Sequence, residues 1–156
     1  MKNNTKKLIT CIAVPLAVGG LAALLTGGGM KRFETLEKPP LSPPGWLFPV
    51  VWTILYLLMG FASYLVLVSG KEKGAVRRAL FLYAAQLAFN FFWPIFFFSF
   101  SAYVFSFLWL CALWILVLMT TSAFLRLLKP AGQLLFAYVL WVTFAGYLNF
   151  GVALLN

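Results

Sequence analysis

Five long apolar runs divide the chain, and they constrain its fold more than any other feature. A helix needs about 20 apolar residues to cross the hydrocarbon core of a bilayer, and a helix satisfies its backbone hydrogen bonds internally when no water is present. The sequence therefore predicts an all-α integral membrane bundle of five transmembrane helices, forming a single domain over residues 1–156. The predicted spans cover about residues 8–26, 46–68, 79–98, 102–126 and 131–154.

The charged residues are placed as a membrane protein requires. Only 10% of the residues are charged and 63% are hydrophobic, and the charges lie between the apolar runs or at their ends. Basic residues are enriched in cytoplasmic loops, and the side that carries the N-terminus has far more of them. This asymmetry predicts a cytoplasmic N-terminus, with loop one and the C-terminus outside. The basic residues on the N-terminal side are Lys2, Lys6, Lys7, Lys71, Lys73, Arg77, Arg78, Arg126 and Lys129, against Lys31, Arg32 and Lys38 on the other.

The composition also excludes several classes of function. The basic residues are scattered over short loops rather than gathered beside aromatic residues, which argues against a nucleic-acid partner. The chain has no histidine, and its three carboxylates, Glu34, Glu37 and Glu72, all lie in loops. We therefore expect no metal site, no cofactor and no acid–base pair within the bundle. No charge lies deep in a predicted span, which argues against transport coupled to an ion gradient.

Loop one, about residues 27–45, holds Pro39, Pro40, Pro43 and Pro44 within six residues. Proline fixes φ and lacks an amide donor, so an extended, semi-rigid strip is expected there. One interpretation is a stiff connector that sets the entry angle of the second span. The other is a lid across the mouth of the bundle. The length of the loop favours the lid, because a plain connection between helices needs only a few residues.

Polar and aromatic side chains recur at helical spacing within three of the spans. Gln86, Asn90 and Trp93 share one face of the third span. Asn90 is either interhelical hydrogen-bond glue or a polar handle for a ligand. Trp52 and Trp141 lie deeper than interfacial tryptophans require. These faces predict either a cavity for a large, flat, mostly apolar ligand or ordinary aromatic packing, and periodicity leaves both open. The faces of the second and fifth spans comprise Phe48, Trp52 and Tyr56, and Trp141, Ala145, Leu148 and Asn149.

Four short blocks, in the same order, resemble the TspO/MBR family of translocator proteins, once called peripheral-type benzodiazepine receptors. Together they cover about residues 33–149. Phe33 and Leu41 stand where many members have tryptophan. The matching blocks are LEKP at 36–39 with PP at 43–44, VWTILY at 51–56 with MG at 59–60, QLAFN at 86–90 with WP at 93–94, and Tyr138, Trp141, Phe144, Ala145, Leu148 and Asn149.

The resemblance implies five helices and, among them, a pocket for a porphyrin-type tetrapyrrole that loop one closes. It also implies a protein of the bacterial cytoplasmic membrane that often forms a homodimer. The lid is expected to include Pro39, Pro43 and Pro44. The implied ligand-binding residues are Trp52, Asn90, Trp141 and Ala145, with Phe48, Trp93 and Leu148 in supporting places.

Three functions are compatible with these observations. The first is a receptor or sensor-like protein that binds porphyrin-type tetrapyrroles or other flat hydrophobic ligands and moves or regulates them. The second is enzyme-like, light- and oxygen-dependent degradation of a bound porphyrin, with Trp52 or Trp141 as the electron donor. The third is passive carriage of a hydrophobic ligand. The sequence favours the first.

Overall fold

Helices account for nearly all of the computed structural model, which describes residues 2–156 and has no strand within that range. Five of the helices are long and two are short. A π-helical segment, Ile95–Ser99, follows the fourth helix directly. In chain order the helices are α1 (Lys2–Leu25), α2 (Gly29–Thr35), α3 (Leu47–Leu67), α4 (Lys73–Pro94), α5 (Tyr103–Leu127), α6 (Lys129–Leu134) and α7 (Phe136–Leu155).

Five segments of the structure are long and apolar enough to cross a membrane. One consists of α4 with its π-helical continuation, and another consists of α6 and α7 together. The predicted all-α membrane bundle of five transmembrane helices is therefore confirmed. The five segments are Asn3–Leu25, Leu47–Leu67, Lys73–Ser99, Tyr103–Leu127 and Lys129–Leu155.

The end of the third span departs from a regular helix at Pro94. Proline has no amide hydrogen to continue the α-helical ladder, and wider π turns occur where that ladder is interrupted. The amide of Phe100 accordingly donates to the carbonyl of Ile95, five residues earlier, at 3.2 Å. Ser101 then adopts a left-handed φ of 52°. The chain thus reverses direction between Ser99, where the π-helical segment ends, and Tyr103, where α5 begins.

The helices pack as neighbouring pairs, with α1 on α3, α4 on α5 and α5 on α7. The backbones of the first pair approach closely at Gly60, where an added Cβ would lie 2.7 Å from both the carbonyl oxygen of Cys11 and the Cα of Ile12. Met59 and Val117 are fully buried in the core. Helix α1 has the smallest buried share of the five spans and is therefore the most peripheral.

Loop one is part helix and part non-helical strip. Helix α2 occupies its first half, because the prolines begin only at Pro39 and leave Gly29–Thr35 free to close a helical ladder. Leu36 has extended backbone angles, and the chain stays non-helical until α3 begins at Leu47. Residues 36–46, called here the proline strip, are therefore non-helical, but the strip is not extended throughout, because it turns at Pro40 and Leu41, where Leu41 has a left-handed φ of 66°.

Candidate ligand-binding site

A chain of buried hydrogen bonds crosses the centre of the bundle. The hydroxyl of Tyr56 donates to Oδ1 of Asn90 at 2.7 Å, and Nδ2 of Asn90 donates to the hydroxyl of Tyr138 at 2.8 Å. Tyr138 in turn donates to Oε1 of Gln86 at 2.7 Å, and Nε2 of Gln86 lies 3.8 Å from the sulfur of Met59. These bonds join α3, α4 and α7, so the amide of Asn90 does act as interhelical glue.

A second buried cluster forms where α4, α5 and α7 meet. The indole Nε1 of Trp93 donates to Oδ1 of Asn149 at 3.0 Å, and the hydroxyl of Ser106 lies 3.1 Å from the same oxygen. Nδ2 of Asn149 donates to the carbonyl of Tyr103 at 2.9 Å. Trp93 is therefore fixed by its nitrogen on one side and presents its ring on the other.

Trp52 is surrounded by aromatic rings that hold its orientation. Its ring stacks on Tyr56 with centroids 5.6 Å apart and an interplanar angle of 29°. The ring of Trp93 lies 6.5 Å away at 35°, and Tyr138 meets Trp52 edge-on at 6.2 Å. Since Tyr56 and Tyr138 also belong to the hydrogen-bonded chain, the polar network and the aromatic cluster form one rigid unit.

A cavity of about 510 Å³ opens beside this unit. Its volume falls in the range of about 300–1,000 Å³ that is usual for small-molecule sites. Aromatic side chains of α3 and α4 form one wall, and small residues of α1 form the opposite wall. The lining residues are Leu16, Gly19, Gly20, Ala22, Ala23, Thr26, Gly28, Gly29, Met30, Lys31, Phe48, Pro49, Trp52, Thr53, Tyr56, Asn90, Trp93, Pro94 and Phe98.

The cavity opens sideways between α1 and α3. Gly20 and Ala23 on α1 line it and are exposed, as are Pro49 and Thr53 on α3. All four lie within the two membrane-spanning segments. The opening therefore faces the region that acyl chains occupy, and the small side chains of α1 keep it wide.

Loop one lines the cavity with residues of α2 rather than with its prolines. Gly29, Met30 and Lys31 of α2 line the cavity, and Nη1 of Arg32 donates to the carbonyl of Phe98 at 2.7 Å. This bond ties α2 to the π-helical end of the third span. The part of loop one that lines the cavity is therefore a short helix bonded to the end of the third span.

The proline strip is fastened to α7 instead. Pro39 is buried and packs on Gly151, and the hydroxyl of Tyr147 donates to the carbonyl of Pro40 at 2.8 Å. The backbone of Glu37 exchanges two hydrogen bonds with the side chain of Asn156, as donor at 3.2 Å and acceptor at 2.9 Å. The expected lid residues Pro39, Pro43 and Pro44 are thus absent from the cavity wall.

The expected ligand-binding residues fall into two groups. Four of them line the cavity, namely Phe48, Trp52, Asn90 and Trp93, while Trp141, Ala145 and Leu148 do not. The remaining three residues lie on α7. Phe48 connects the two groups, since its ring meets that of Trp141 edge-on at 5.8 Å.

Trp141 has an unusual buried nitrogen. Among the described residues, its Nε1 is one of two buried side-chain polar atoms without a hydrogen-bond partner. Its ring contacts Phe48 and lies 5.6 Å from Phe144. Unpaired buried donors are costly, so this nitrogen is a polar group with hydrogen-bonding capacity left unused in the bundle.

Sequence reasoning missed the contribution of α1. In the sequence, Gly19 and Gly20 indicate only that the first span is apolar, yet both residues line the cavity. In the sequence, Tyr138 stands out only as part of a block shared with the family, although its hydroxyl joins Asn90 to Gln86. Within residues 2–156, no three His, Cys, Asp or Glu side chains come together as a metal site would require.

Comparison with known proteins agrees with the architecture. The profile described as the TspO/MBR family matches residues 11–155. "Tryptophan-rich protein TspO" of Chlorobaculum tepidum is 40% identical over 157 residues, covering 100% of this chain and 99% of that protein. "Tryptophan-rich sensory protein" of Cereibacter sphaeroides is 39% identical, covering 86% and 85%. "Translocator protein" of Bos taurus is 36% identical, covering 88% and 82%. This multi-pass membrane protein belongs to the TspO/MBR family.

Proposed function

We propose that the protein is a membrane receptor or sensor that binds a porphyrin-type tetrapyrrole in the cavity between α1, α2, α3 and α4. The observation that carries the proposal is the position of Trp52. Its ring lines the cavity and contacts the rings of Tyr56 and Trp93, which line it too. A flat macrocycle laid on a fixed indole buries apolar area on both faces without first ordering the site.

The shape of the cavity supports a flat ligand in particular. The α1 wall consists largely of glycine and alanine, so a planar ring can approach it closely, while Asn90 supplies an amide on the opposite wall. The sideways opening suits a ligand that partitions into the bilayer. The names of two relatives, a sensory protein and a translocator protein, support a sensing or receptor role for this chain.

We include Trp141, Ala145 and Leu148 in the proposed pocket on the condition that the Phe48 ring moves. A ligand that displaces the Phe48 ring would reach Trp141 and its unpartnered Nε1. The pocket would then extend from α1 to α7 and contain all seven expected residues. In this arrangement Trp52 is the primary contact and Trp141 becomes a contact only after Phe48 moves.

Orientation and assembly belong to the same proposal. The excess of basic residues in the segments on the same side as the N-terminus supports a cytoplasmic N-terminus in a bacterial cytoplasmic membrane. Ala84 and Ala88 are exposed on α4 and stand one turn apart, which suits close packing against a second copy. We therefore propose a homodimer with loop one facing outward.

Titration of the protein with protoporphyrin IX in lipid nanodiscs tests the site. Saturable quenching of tryptophan fluorescence and a shift of the porphyrin absorbance band are expected. Trp52→Leu should weaken binding about 2- to 10-fold, since an aromatic pair contributes about 0.5–1.5 kcal/mol beyond buried area.

The matched control is Trp114→Leu. Trp114 lies on α5, outside the cavity lining, where its Nε1 donates to Thr143 at 2.9 Å. This variant should bind porphyrin with the affinity of the unaltered protein. Equal dissociation constants for the Trp52 and Trp114 variants would overturn the proposed site, because the fluorescence amplitude is lost in both but the contact in only one.

A further inference from the structure

Loop one carries three basic residues, and two of them are held by the protein itself. Arg32 donates to the carbonyl of Phe98 at 2.7 Å. Nζ of Lys38 donates to the carbonyl of Glu34 at 3.2 Å and lies 5.1 Å from the centroid of the Phe33 ring. Both cations are therefore engaged in holding α2 and its surroundings in place.

Lys31 is placed differently. It lies on α2 and is the one charged residue among those that line the cavity. Its side chain is exposed, and within residues 2–156 it has no ion-pair partner. A Lys side chain can lie along apolar surface while its ammonium stays in the polar interface. Lys31 thus places a positive charge at the outer rim of an otherwise uncharged cavity.

Within residues 2–156, neither nearby carboxylate forms an ion pair with Lys31. The side chain of Glu34 lies against Gly45, where an added Cβ would be 3.1 Å from Oε1, and neither Glu34 nor Gly45 lines the cavity. Glu37 stands at the start of the proline strip, where its backbone bonds to Asn156 next to α7. Among the described residues, Lys31 therefore remains an unpaired cation where α2 meets the cavity.

We propose that Lys31 is the specificity-determining residue of the cavity and that it binds the carboxylate of an acidic amphiphile. This inference rests on the proposed function and narrows its ligand class. The apolar body of the ligand would lie on Trp52, between α1 and α3, and its acid group would remain at the rim. A carboxylate buried deeper would lose hydration without a compensating cation.

A purely topological role for Lys31 makes a different prediction. Basic residues that only set orientation act on a ligand through the general field of the loop. In that case Lys38, which stands on the same loop and carries the same charge, should matter as much as Lys31. A direct pair requires that only the lysine on the cavity wall distinguish an acid from its ester.

The experiment compares protoporphyrin IX with its dimethyl ester, in zwitterionic nanodiscs, for the unaltered protein, Lys31→Gln and Lys38→Gln. The measured quantity is the ratio of the two dissociation constants for each protein, in which partition of each porphyrin into the same membrane cancels. Lys31→Gln should reduce the preference for the acid about two- to fivefold, as expected for an exposed ion pair. Lys38→Gln should leave the ratio unchanged.

Salt provides a second measurement. The acid preference of the unaltered protein should decrease as ionic strength rises, and that of Lys31→Gln should not. An identical ratio in all three proteins, or an equal loss in both variants, would overturn the role of Lys31 while leaving porphyrin binding intact. If neither porphyrin saturates the unaltered protein, the proposed function fails and this inference fails with it.

Discussion

The hydroxyl of Tyr56 donates a 2.7 Å hydrogen bond to the side-chain oxygen of Asn90, and both residues line the cavity. The bond joins α3 to α4 at the point where the Tyr56 ring also stacks on Trp52. Structural support and a place on the cavity wall are therefore combined in the same two side chains. A change at either residue alters the stability of the bundle and the shape of the cavity together, unless the substitution separates the two roles.

Tyr56→Phe separates them. The ring is kept, so its stacking on Trp52 and its place on the cavity wall persist, but the bond to Asn90 is lost. We expect the free energy of unfolding to fall by about 0.5–2 kcal/mol, with porphyrin affinity changed less than twofold. Asn90→Leu should cost more, because it leaves the hydroxyls of both Tyr56 and Tyr138 short of a partner. Thermal unfolding in detergent compares the two, and an equal loss in both variants would contradict the hydrogen-bonded chain.

Neighbouring glycines on α1 should respond oppositely to alanine. A Cβ at Gly19 would overlap the ring of Tyr56, whereas a Cβ at Gly20 would meet nothing within 4 Å. Gly19→Ala should therefore destabilise the protein by about 1–3 kcal/mol, the usual cost of overpacking. Gly20→Ala should be neutral or stabilising by up to about 1 kcal/mol, because alanine favours helix. Unfolding in mixed micelles measures both, and similar values would show that α1 does not approach Tyr56 this closely.

Glu72 provides a pH dependence at the start of α4. Its carboxylate accepts hydrogen bonds from the amides of Gly74 and Ala75, each at 2.6 Å, and these hold its pKa below the ordinary value of 4.5. Because the folded-state pKa is the lower one, the stabilisation is complete above about pH 4.5 and is lost as the pH falls through the folded value. Glu72→Gln should lower the melting temperature at neutral pH and flatten its decline in acid.

The control for this prediction is Glu37→Gln, which removes the same charge after the C-terminal end of α2. The difference in melting temperature between the unaltered protein and Glu72→Gln should shrink on acidification. The corresponding difference in melting temperature for Glu37→Gln should not shrink in this way on acidification. A constant difference for Glu72→Gln from neutral to acid pH would contradict the capping role.

The parts of the structure that the sequence predicts are those fixed within one helix. Apolar runs of about 20 residues predict the spans because lipid leaves the backbone no alternative. The shared face of Gln86, Asn90 and Trp93 follows from helical spacing, and all three side chains are buried in the structure. These features require no knowledge of how the helices rotate against each other.

The remaining features depend on that rotation. Tyr138 reaches Asn90 and Gln86 only because the rotation of α7 about its axis directs this residue toward α4. No local sequence pattern encodes that rotation. The cavity wall on α1 consists of residues without distinctive chemistry, such as Gly20 and Ala23. The contact of Phe48 with Trp141 depends on a side-chain position that periodicity on α3 does not specify.

A single substitution on α7 should release the proline strip from that helix. A Cβ at Gly151 would overlap the ring of Pro39, which cannot adjust by rotation, whereas a Cβ at Gly146 on the same helix would meet nothing within 4 Å. Gly151→Ala should therefore push residues 36–46 away from α7, and Gly146→Ala should not. Hydrogen–deuterium exchange of the strip amides should accelerate about 2- to 10-fold in the first variant, equivalent to losing one hydrogen bond such as that from Tyr147 to Pro40. If exchange accelerates but porphyrin release does not, the strip acts only as a connector and α2 alone covers the cavity.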